Sequence, residues 1–83
     1  MALDRNRVDE AIAAAATLAE AAAAVAALPG IAAVTPHPGL LKSNPPQRLL
    51  HVHFDSEHGA GSCLLRMFER AAGGYSVAGI DPA

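Results

Sequence analysis

Between Ala11 and Ala27, twelve of seventeen residues are alanine. No other feature constrains the chain as strongly. Alanine is the best helix former, so this stretch is committed to helix. Its methyl side chain buries little area, so the helix contributes little core. The chain has 83 residues, near the lower limit for a self-sufficient hydrophobic core. Apolar residues make up 52% of it, but many of them are alanine. Large core side chains must come from the remaining Leu, Ile, Val and Met and from Phe54, Phe68 and Tyr75. Association with a second copy or another protein would relieve that shortage, so a homodimer or a protein partner is expected.

The spacing predicts one helix over residues 6–28. Asn6 is placed to cap it, Asp9 and Glu10 suit the positive end of its dipole, and Pro29-Gly30 ends it. At about 1.5 Å per residue such a helix is about 35 Å long. That exceeds what a domain of this size needs. Its first turns are expected to overhang, placing Val8, Ile12 and Ala15 in an interface.

A short strand over 31–35 should follow, then a loop over 36–47 with Pro36, Pro38, Pro45 and Pro46. Leu40 and Leu41 are unusual for a solvated loop and are candidate contact residues. Residues 48–55 give the clearest strand: Leu50, Val52 and Phe54 alternate with Leu49, His51, His53 and Asp55. Ser62 is a plausible cap for a helix over 62–72 with Leu64, Leu65, Phe68, Ala71 and Ala72 inward, stopped by Gly73-Gly74. A last strand is expected over 75–80. Leu50, Val52, Phe54, Leu65 and Phe68 should form the core.

Several function classes are disfavoured. Net charge is −2 and the six basic residues are scattered, which argues against a nucleic-acid surface. One cysteine excludes an internal disulfide or a two-thiolate metal site. Asp9, Glu10 and Glu20 interrupt the alanine run, so membrane insertion is not expected. The N-terminus lacks a signal-peptide pattern, and a cytoplasmic location follows. No phosphate loop or dinucleotide fingerprint occurs.

Leu28-Pro29-Gly30-Ile31, Val34, Val52, Phe54-Asp55, Leu65, Phe68 and Gly74-Tyr75-Ser76-Val77 give the chain a resemblance to the heavy-metal-associated (HMA) family. The resemblance covers roughly residues 14–80. It implies an α+β, ferredoxin-like/HMA-like domain of order α-β-β-α-β, with helices on one face of a three- to four-stranded sheet. The family's two metal-binding cysteines would fall at Ala14 and Thr17, so thiolate chelation is not carried over. The order also resembles the cytoplasmic domain of cation-diffusion-facilitator transporters, which is dimeric and binds metal through histidines and carboxylates. His37-Pro38 and His58-Gly59-Ala60-Gly61 are similar to segments of pterin carbinolamine dehydratases, with Pro36 in place of the first histidine of a pair.

His51 and His53 stand at i, i+2 and project from one strand face. Two such imidazoles can share a borderline metal such as zinc or copper. Asp55 lies one step along that face, and His37 or His58 would complete the site from a loop. The plainer reading is a solvated face or cover for a partner. Cys63 and Met67, four apart on the expected helix, are a soft pair whose ordinary role is core filling. The residues thus favour a small non-catalytic module acting by protein–protein contact or self-association. A histidine-based metal-binding module and a dehydratase-like enzyme are the alternatives.

Overall fold

The computed structural model describes residues 3–42, 46–55 and 61–82, without the side chains of Pro38, Leu40 and Leu41. It is an α+β fold. Two helices, α1 (Arg5–Ile12) and α2 (Leu18–Ala26), precede four strands: β1 (Ile31–Leu41), β2 (Gln47–Phe54), β3 (Gly61–Glu69) and β4 (Tyr75–Pro82). The strands form one antiparallel sheet in the order β1-β2-β3-β4.

The alanine run does not form one helix. Asp4, not Asn6, caps α1, its carboxylate accepting from the amides of Asn6 and Arg7. The helix ends at Ile12, and a second N-terminus is built at Thr17. There the Thr17 hydroxyl accepts from the Glu20 amide at 3.1 Å, and the Glu20 carboxylate accepts from the amides of Thr17 and Ala16 at 3.0 and 2.7 Å. This reciprocal capping box supplies the acceptors that a new helix start requires. The break lets the two helices cross the sheet separately, α2 against β1 and α1 against β4. One rod of about 35 Å would overshoot four strands about 4.8 Å apart. Val8 and Ile12 therefore do not overhang. Both are fully buried, and Ala15 is 7% exposed, so all three belong to the chain's own core.

The segment expected as helix over 62–72 is strand β3 and its turn. Cys63, Leu65 and Met67 point inward, while Leu64, Arg66 and Phe68 alternate with them. The apolar residues 63–65 and 67–68, separated by Arg66, do not alternate with polar ones and so also suit a helix; pairing with β2 and β4 on either side decides for strand. Gly73 and Gly74 stop no helix. With φ of 98° and 78° they turn β3 into β4. A Cβ at Gly74 would collide with the Ala13 carbonyl oxygen, so the hairpin turn packs directly against the α1–α2 junction. The expected loop over 36–47 is strand as far as Leu41, with irregular register between Pro36 and Leu40. The element order is thus α-α-β-β-β-β, with the second helix of the expected order replaced by a strand.

The core lies between the helices and one face of the sheet. Val8, Ile12 and Val25 pack with Leu50, Val52, Leu65 and Met67, all with no exposure, and with Phe54 at 8%. Phe68 is not among them; it is half-buried on the opposite face.

Candidate functional site

Alternation along β2 and β3 fixes what the second face of the sheet carries. Leu49, His51 and His53 lie on it from β2, and Leu64, Arg66 and Phe68 from β3, each half-buried. The antiparallel register sets His51 beside Leu64, Leu49 beside Arg66 and Gln47 beside Phe68. No described helix covers this face, because both pack on the other.

Arg66 organises the end of the face. Its guanidinium donates to the Asp81 carboxylate at 2.6 Å and to the Gln47 side chain at 3.3 Å, and it lies close against Gly79. A Cβ at Gly79 would strike the guanidinium. The Arg66 charge is thereby paired in place with that of Asp81.

His51 and His53 are brought together as expected. Their ring centroids are 4.2 Å apart with the planes tilted by 38°. His51 Nε2 is buried and has no hydrogen-bond partner among the described residues. The other proposed ligands do not join them. Asp55 is engaged in an interaction of its own, and its amide donates to the Gly30 carbonyl at 3.1 Å. His37 is exposed on β1, where its Nδ1 accepts from the Gly39 amide at 3.0 Å. His58 lies outside the described residues. Among the described residues no group of three or more His, Cys, Asp or Glu side chains is placed to hold a metal. Cys63 and Met67 sit four apart on a strand, about 13 Å, and both face the core, so they form no soft pair. Burial pushes the Cys63 thiol up, away from thiolate.

The sheet has two edges, and each is obstructed. On β4 the Val77 amide donates to Asp9 at 2.8 Å, and the Val77 carbonyl accepts from Arg5 at 3.3 Å. Helix α1 thus occupies both backbone groups of Val77. On β1, Pro36 and Pro38 lack amide hydrogens. The backbone of Leu40 and Leu41 pairs with Arg48 and Gln47, and their side chains lie outside the description.

A cleft of about 560 Å³ between residues 13–16 and 69–74, and another of about 430 Å³ lined by Leu3, Phe54, Cys63, Ile80 and Pro82, contain none of the histidines. No described helix is long and apolar enough to cross a membrane. Comparison with known proteins finds no matching family model, no matching curated protein and no matching solved structure.

The sequence missed the apolar content of this face. A helix over 62–72 does not set Leu64 and Phe68 beside His51 and Gln47, as strand β3 does. The capping motif Thr17-Leu18-Ala19-Glu20 was the legible signal for the helix break.

Proposed function

We propose that the chain is a non-catalytic association module whose open sheet face joins a second copy of itself. The observation that carries this reading is the uncovered face bearing half-buried Leu49, Leu64 and Phe68 around the His51–His53 pair. A solvated face would carry polar residues at these positions. The obstructed edges support a face-to-face contact over strand addition. Four strands about 4.8 Å apart, each about eight residues at about 3.3 Å, present about 500 Å². Two copies together then cover about 1,000 Å², the lower bound for a specific interface. The module is accordingly a weak, concentration-dependent dimer.

The HMA-like character of the fold belongs to this proposal as well. Its support is the α+β layering with helices on one face of a four-stranded sheet, and the different element order weighs against it. Multi-angle light scattering across a concentration series, with a chelator present, tests the association reading. A mass rising toward twice the chain mass is expected. A monomer mass held through high micromolar concentration refutes it.

A further inference from the structure

From the His51–His53 pair we infer that the open face carries half of a divalent transition-metal site, completed by the same pair from a second copy. This rests on the reading that the open face joins two copies. Three observations lead to it.

The first is geometry. Two imidazoles with centroids 4.2 Å apart, on one face of one strand, can offer nitrogens to a single ion. As placed, His51 Nε2 is sealed within the chain, so reaching an ion outside the face requires both half-buried rings to turn about their χ angles.

The second is an unmet bond. His51 Nε2 is buried and unpartnered. A buried acceptor or donor without a partner costs about 1–3 kcal/mol in general, so such atoms call for an explanation. Lone-pair donation to a metal ion is one, and no described protein group supplies another.

The third is incompleteness. Among the described residues no third His, Cys, Asp or Glu joins the pair. Two ligands leave zinc or copper(II) short of the four that a closed tetrahedral site uses. Strand β2 is an inner strand of the sheet, next to its centre. A twofold axis in the plane of the contact, crossing the strands at the level of His51 and His53, sets β2 over β2 of the second copy. Packed sheets lie about 10 Å apart, so histidines from both reach the mid-plane. Four neutral imidazoles then surround one ion, with metal–nitrogen bonds of about 2.0–2.1 Å. Leu49 and Leu64 around them exclude water and make the metal a clasp on a contact that is otherwise small.

The ligand class is therefore a borderline divalent cation that takes imidazole, with zinc, copper(II) and nickel(II) the candidates. The ligand set contains no carboxylate or thiolate. Hard ions such as magnesium and calcium are excluded by that chemistry.

The full chain, stripped with a chelator and then titrated with zinc chloride, tests the inference by calorimetry and sedimentation velocity together. Expected is one zinc per two chains, with the dimer dissociation constant lowered at least about tenfold by linkage. Cobalt(II) in place of zinc should give the visible absorption of a tetrahedral ion. The variant His51→Gln/His53→Gln should lose the metal response; cobalt absorption of the unmodified chain does not depend on that variant folding. One zinc per chain with unchanged mass, no binding, or binding that survives the double substitution each overturns the site. A chelated dimer indifferent to zinc overturns the metal site and leaves the association reading standing. A chain monomeric in chelator and in zinc overturns both.

Discussion

The Asp9 carboxylate accepts a hydrogen bond of 2.8 Å from the backbone amide of Val77, 68 positions along the chain. This bond ties the first helix to the last strand and closes the edge of the sheet. Arg5 completes the closure from the same helix by donating to the Val77 carbonyl. Asp9→Ala removes a charged acceptor from a part-buried amide. It should cost about 1–3 kcal/mol. Arg5→Ala should cost less, because its bond to the carbonyl is the longer one at 3.3 Å. Urea denaturation followed by circular dichroism measures both, and equal, negligible losses would mean that α1 does not anchor β4.

The helix break predicts a local effect inside the alanine run. Thr17→Ala or Glu20→Ala removes one arm of the capping box and should cost about 0.5–2 kcal/mol each. The two losses should not add, since either substitution breaks the reciprocal pair. A continuous helix would instead be stabilised by Thr17→Ala, alanine being the better interior residue. The sign of one thermal-melt shift separates the two.

The two phenylalanines report the two faces of the sheet. Phe54 is 8% exposed and packs in the core, so Phe54→Ala should cost about 3–5 kcal/mol. Phe68 sits on the open face, and Phe68→Ala should cost the single chain well under that while weakening association. Comparable losses of chain stability at both positions would place Phe68 back in the core.

Burial raises the Cys63 thiol above its ordinary 9.0. For Tyr75, burial first and the adjacent Glu69 carboxylate second push the hydroxyl above 10.0. The folded state therefore holds both groups neutral to higher pH than the unfolded chain does. Their contribution is whole below the unfolded values and is lost as pH rises beyond them. The denaturation midpoint should fall as pH climbs past 9.0, and Cys63→Ala should lose the first part of that fall. The native thiol should also resist iodoacetamide at neutral pH and react on unfolding. Rapid native alkylation would contradict its burial.

Strand β2 was legible because its apolar residues alternate cleanly, and His51 and His53 could be paired from spacing alone. Strand β3 was not. Leu64 and Phe68 fill two of its outer positions with apolar side chains, so the apolar–polar alternation fails and a helix also explains the pattern. The residues that concealed the strand are those that make the open face sticky. The unbroken alanine run likewise hid two helices, because propensity does not locate a break that a Thr–Glu cap specifies. The burial of Val8 and Ile12 followed from that break and could not be read without it. His37 is held locally by the Gly39 amide, and the Asp55 amide donates to the distant Gly30 carbonyl; neither contact follows from the spacing to His51 and His53.

Leu64 lies beside His51 near the middle of the open face and is half-buried within the chain. Leu64→Glu places a charge there while leaving the core untouched. Sedimentation velocity of the unmodified chain and of Leu64→Glu, both with chelator and at matched concentrations, tests self-association through this face most directly. The unmodified chain should sediment increasingly as a dimer as concentration rises, and Leu64→Glu should remain a folded monomer throughout. A monomeric unmodified chain at every concentration, or a Leu64→Glu variant that dimerises as well as its parent, would contradict the account.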